Sequence, residues 1–95
     1  MEPTALVALL QEALPEAGFE MAPSSDVHPT VYVSRDRVVE VVRHLRDRPD
    51  LRFALLSEMT ALDIWPHEPR FEVILILVSL EHARRLRLKV RLHGD

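Results

Sequence analysis

The sequence predicts an α+β fold, a mainly antiparallel or mixed sheet of about four strands with two helices packed on one face. Three observations carry this expectation. Two segments place apolar residues at helical spacing, one near the N-terminus and one after Val33. The run Phe71 to Ser79 is rich in Val, Ile and Leu. Leu86, Leu88, Val90 and Leu92 alternate with Arg87, Lys89 and Arg91, the period of a strand with one apolar and one cationic face. The order is helix, strand, helix, then three strands. Helices laid on one face of a mainly antiparallel sheet bury these stripes most simply.

Each element has a local cause. Thr4 is the expected N-cap of a first helix over residues 4–14, whose apolar face is Leu6, Leu9, Leu10 and Ala13. Pro15 and Gly18 stop it. Phe19 to Pro29 reads as a loop, with a short strand at Phe19 to Met21. Thr30 to Val33 is β-branched and aromatic, hence a short strand. Ser34 is the expected N-cap of a second helix, with Asp36 in its first turn. Val38, Val41, Val42 and Leu45 form its buried stripe, with Val39 at the margin, and Pro49 ends it.

Leu51 to Leu62 holds many good helix formers, but it lies between a helix stop and a clear strand. It is assigned as a strand over Phe53 to Leu56 with an irregular or extended continuation to Asp63. Ile64 to Pro69 is a turn. Phe71 to Ser79 is a strand buried on both faces, or covered by helices on one face and a partner on the other. Glu81 to Arg85 connects it to the alternating strand and is too long for a two-residue hairpin turn. All 95 residues are expected to form a single domain.

Composition excludes several function classes. The chain has no cysteine, so thiol catalysis, disulfides and cysteine-held metal or iron–sulfur centres are ruled out. Two glycines cannot supply a phosphate-cradling loop. A net charge of −3 gives no global pull toward nucleic acid or anionic membrane. The N-terminal decapeptide lacks the basic region of a signal peptide, and no apolar run approaches the roughly 20 residues of a membrane span.

The densest stretch is "SEMTALDIWPHEPRFEV", residues 57–73. Asp63, His67 and Glu68 suggest a metal site, but Pro66 prevents the helix that would bring Asp63 and His67 together. Glu58 and Asp63 suggest paired carboxylates, yet acids at a strand end are usually solvated or paired, and Arg70 and Arg87 are available. Ser57 and Ser79 lack a nucleophile setting. Arg84, Arg85, Arg87, Lys89 and Arg91 form a cationic strand, but no aromatic residue is interleaved for stacking bases. Trp65 is either a core anchor or an interface anchor. No catalytic residue, metal or cofactor is expected. The residues expected to face a partner are Trp65, His67, Arg70, Arg87, Lys89 and Arg91.

Three segments in order carry a resemblance. Phe53 to Asp63 follows the pattern F-x-x-L-x-[DE]-[LM]-T-A-x-D. Arg70 to Val73 reads R-F-E-V, and Ser79 to Val90 follows S-L-x-x-[NA]-x-R-[LI]-R-[LV]-K-V. Together they resemble the N-terminal half of the C-type (30 kDa) subunit of NADH-quinone oxidoreductase, which lies in the peripheral arm of respiratory complex I. Two departures stand out. Ile74 to Val78 is wholly apolar where the family usually has an aromatic residue or histidine. The family also continues into an acidic E-R-E segment and a region that wraps its neighbour, whereas Asp95 precedes that point. The expectation is a truncated, split or shortened relative. The resemblance implies a non-catalytic assembly subunit without a redox centre. It would pack against other peripheral-arm subunits, chiefly the D-type subunit, which helps form the quinone site. It would lie on the cytoplasmic face of the bacterial inner membrane, with self-association when isolated. The rival expectation is a free-standing α+β module whose cationic strand engages an acidic protein or nucleic acid.

Overall fold

The computed structural model describes residues 3–21 and 29–92. Helix α1 spans Pro3–Ala13, followed by a 3-10 turn at Pro15–Ala17 and a two-residue strand β1, Glu20–Met21. Strand β2 is Thr30–Tyr32, helix α2 is Val38–Asp47, and three nine-residue strands follow: β3 Leu55–Asp63, β4 Phe71–Ser79 and β5 Arg84–Leu92. The sheet order is β1-β2-β5-β4-β3. All neighbours run antiparallel except β2 and β5, which are parallel. The α+β class, the mixed sheet and the two helices match the sequence expectation. The sheet has five strands rather than about four, because Glu20 and Met21 pair with Tyr32 and Val31.

Register assigns the faces. Leu86, Leu88 and Val90 on β5 lie opposite Leu77, Leu75 and Val73 on β4, and Val31 on β2 lies opposite Leu88. With Leu6, Val7 and Leu10 of α1 and Val41 and Leu45 of α2, they make one apolar cluster. Both helices therefore cover the same face, and burial of these side chains at roughly 1.5–3 kcal/mol each is the main force holding the layers together. Arg85, Arg87, Lys89 and Arg91 alternate with the core residues of β5 and so take the opposite, uncovered face.

Several local expectations are corrected. Helix α1 starts at Pro3, so Thr4 lies within the helix rather than at its N-cap position. Its buried stripe is Leu6, Val7 and Leu10, with Leu9 at the margin and Ala13 exposed. The stripe is rotated toward Val7 because the turn after the helix drops Ala17, 2% exposed, into the core. Gly18, at φ 68, reverses the chain there in the left-handed region that favours glycine. The expected loop over Phe19 to Pro29 falls partly on residues 22–28, outside the described residues.

Ser34 does not cap α2. Its backbone N–H donates to Ala17 O at 2.8 Å and its Oγ accepts from the Asp36 N–H at 3.4 Å, so residues 34–37 form a turn. The helix starts at Val38 with Arg37 as N-cap, and Glu40 is the acid of its first turn.

The largest correction lies after α2. Leu51 and Phe53 enter the core without joining the sheet, and the Phe53 N–H donates to Leu45 O at 2.9 Å. The strand then runs from Leu55 to Asp63: it starts two residues later than the expected Phe53, and the expected irregular or extended continuation to Asp63 is regular strand. Pairing with β4 from Leu55↔Val78 to Asp63↔Phe71 overrides the helix-forming composition, with one bulge between Leu56 and Glu58. β5 likewise begins two residues early, since Arg84 pairs with Ser79. The connection is Leu80–Ala83.

Candidate interface

The expected partner-facing residues fall into two groups, at one end of the sheet and along its open face. The first occupies the β3–β4 hairpin. The Asp63 carboxylate accepts from Arg70 Nε at 2.9 Å and Nη2 at 2.8 Å, and from the Trp65 backbone N–H at 3.1 Å. The Ile64 N–H donates to Arg70 O and the His67 N–H to Ile64 O, closing the turn. The two-pronged guanidinium contact and the backbone donor hold the Asp63 carboxyl down at about 2. The guanidinium of Arg70 also lies 5.0 Å from the Phe71 ring centroid. Arg70 is thus engaged in shaping the hairpin.

Trp65, which the sequence left open between core and surface, is 70% exposed. His67 and Glu68 are exposed beside it. Asp63, His67 and Glu68 do not converge. Among the described residues no three His, Asp or Glu side chains gather as a metal site requires.

The second group is the cationic face of β5, and an aromatic residue from β2 organises it. Arg91 Cζ lies 3.6 Å from the Tyr32 ring centroid and Lys89 Nζ 5.7 Å from it. Tyr32 Oη donates to Glu72 Oε2 at 2.7 Å, reaching across β5 to β4. Arg91 Nη1 also donates to Glu20 Oε2 at 3.0 Å on β1, so one network links four strands. The Glu72 carboxylate raises the Tyr32 hydroxyl above its ordinary value, first through the hydrogen bond and then through burial and charge. Arg87 Nη1 donates to Thr30 Oγ1 at 3.2 Å. Beside this network β4 presents Ile74, Ile76 and Val78, all half-buried.

Sequence reasoning expected a partner on one face of β4 but missed the exposed apolar residues of β3. Every residue of β3 is exposed, including Leu55, Leu56, Met59 and Leu62 at 40–66%. On the helix-covered side a groove of about 300 Å³ lies between α2 and β4, lined by Val38, Val39, Val42, Arg43, Arg46 and Leu75. Tyr32, Glu72 and Glu20 were missed as well. The available signal was weak: a lone tyrosine in a strand beside a strand of alternating cations.

These features define a class first: a helix-backed mixed sheet with one open face, whose exposed apolar side chains gather on one edge hairpin. No helix among the described residues is long and apolar enough to cross a membrane. Residues 31–95 match the family described as "Respiratory-chain NADH dehydrogenase, 30 Kd subunit". The C-type subunit of the NADH-quinone oxidoreductase of Roseiflexus castenholzii is 42% identical over 90 residues, covering 93% of this chain and 49% of the relative. Its counterpart in Roseiflexus sp. is 46% identical over 61 residues, covering 64% of this chain and 35% of the relative. The chain spans about half or less of the length of these curated relatives. A chain in the structure of the membrane-bound sulfane sulfur reductase, an archaeal respiratory membrane complex, shares the fold. It superposes with a TM-score of 0.75 at 22% identity, covering 100% of this chain and 52% of that one. The chain belongs to the family of the respiratory-chain NADH dehydrogenase 30 Kd subunit.

Proposed function

We propose that this chain is a non-catalytic assembly subunit in the peripheral arm of an NADH-quinone oxidoreductase, where it packs against the D-type subunit. The complex would hold it on the cytoplasmic face of the bacterial inner membrane. The observation that carries the reading is the uncovered apolar surface of the hairpin in a member of this subunit family. A chain of this size gains stability by covering such a surface with a neighbour. Trp65 and His67 are the hairpin residues we assign to contact. Arg87, Lys89 and Arg91 serve as a polar rim, because their charges already meet Thr30, Tyr32 and Glu20. The same engagement weakens the rival reading, in which the cationic strand binds an acidic protein or nucleic acid.

Co-expression of this chain with the D-type subunit from the same organism, followed by affinity capture, tests the proposal. Retention of the chain through washing is expected. Loss of the chain, together with salt-sensitive binding to duplex nucleic acid, would overturn it in favour of the rival.

A further inference from the structure

We propose that the outer edge of β3 accepts an extended strand from a neighbouring subunit. That strand carries an apolar residue beside Met59 on the helix side of the sheet and a basic residue beside Glu58 on the open side. This rests on the assembly reading above and specifies how the partner is held.

The first observation is the state of the edge. β3 ends the sheet, and among the described residues no strand pairs with its outer side. Alternate residues of an edge strand turn their N–H and C=O groups outward, which templates another strand. Edges that must stay unpaired are short, or carry lysine, proline or other blocks. β3 is nine residues long and contains no lysine, arginine or proline. Its bulge lies between Leu56 and Glu58, near one end, and leaves Glu58 to Asp63 in unbroken register. The opposite edge, β1, has only two residues.

The second observation is what lies beside that regular stretch. Met59, opposite Leu75, is 66% exposed on the helix side. Val39 of α2, which lines a groove with that Leu75, is 65% exposed. An added strand would run along the outer side of this apolar shelf, and its inward side chains would cover Met59. The pattern is that of strand addition, in which main-chain bonds supply affinity and alternate side chains supply selection.

Charge selects the occupant. The acids of β3 are Glu58 and Asp63, and Asp63 is neutralised by Arg70. Glu58 has no ion pair among the described residues and faces the open side opposite Ile76. A second copy of this chain would bring an edge with the same acids and no cation. A foreign strand with Lys or Arg at that level supplies the complement, and opposite charges across strands stabilise the pair.

The test uses this chain co-expressed with the D-type subunit. Met59→Lys changes an exposed side chain, so the fold survives, which circular dichroism checks. Met21→Lys, on the far edge, is the control. Met59→Lys should weaken binding to the D-type subunit by about tenfold or more, as charge at a central contact does, while Met21→Lys leaves it within about twofold. Amide exchange in Glu58 to Asp63 should slow when the D-type subunit binds, and exchange in β1 should not. If Met59→Lys binds as the wild type does, or the β3 amides stay unprotected, the edge proposal falls and the assembly reading stands. If the wild type fails to bind the D-type subunit, both fall. Dimerisation through β3 that excludes the D-type subunit overturns it in favour of a second copy.

Discussion

Replacing Tyr32 by Phe tests whether the open face is held by a specific network or only by packing. The ring remains, so Arg91 keeps its stacking partner at 3.6 Å. Only the hydroxyl is lost, and with it the 2.7 Å bond to Glu72. Glu72 is 8% exposed, so water reaches it poorly. Leaving a buried acceptor unsatisfied costs about 1–3 kcal/mol, and a charged one belongs in the upper half of that range, about 2 kcal/mol. With a urea dependence of about 1.5 kcal/mol per molar for so small a chain, the unfolding midpoint should fall by about 1.3 M. The double variant Tyr32→Phe, Glu72→Met removes both polar partners and should recover to within about 1 kcal/mol of the wild type. An unchanged midpoint for Tyr32→Phe, or a double variant no better than the single one, would refute the reasoning. The pH dependence is a second check. Tyr32 is the chain's single tyrosine, so tyrosinate absorbance reports it alone. Its raised pKa means that its contribution is fully present below the ordinary value of 10.0 and is lost as pH rises through the higher folded value. Titration at or below the ordinary value would contradict the Glu72 contact.

Two further outcomes follow from the hairpin and the core. Asp63→Asn should free Arg70 and speed amide exchange at Trp65 and His67. In the wild type, the Asp63 contribution to the turn is present above the usual carboxylate range and lost as pH falls through about 2, which carbon NMR of its carboxyl would follow. Leu88→Ala, at a fully buried position between β4 and β2, should cost about 3–4 kcal/mol in urea unfolding, and a loss under about 1 kcal/mol would show that the helices do not seal that face.

What was legible in the sequence was what local chemistry decides. The alternation on β5 announces itself because its two faces meet different surroundings, helices on one and solvent on the other. The helix stripes were readable for the same reason, although Val7 and Ala13 exchanged places once the turn after α1 set its rotation. The end of β3 at Asp63 was legible, but its start at Leu55 and its regular pairing were not, because its residues favour a helix and only pairing with β4 makes them a strand. The pairing of a strand-end acid with Arg70 was open to sequence reasoning, but that Asp63 is the acid it grips, with both prongs, depends on a turn whose geometry no spacing rule contains. Tyr32 and Glu72 are 40 residues apart and meet only because β5 inserts between their strands. The family resemblance came from the same strands that build the centre and one edge of the sheet.

The position of β5 has a consequence for biosynthesis. This strand leaves the ribosome after every other described strand, yet it sits in the middle of the sheet, with β2 on one side and β4 on the other. Thr30 must wait for Arg87, 57 residues further along, before β2 has a parallel neighbour. Until then the nascent chain is two unjoined halves, an α1–β1–β2 piece and a β3–β4 hairpin, each with an apolar face turned to water. Such long-range closure is slow and exposed to misassociation. A nascent chain stalled before Arg84 would lack the keystone and not merely a border strand, which makes chaperone occupancy of arrested chains the natural readout of how this sheet is completed in the cell.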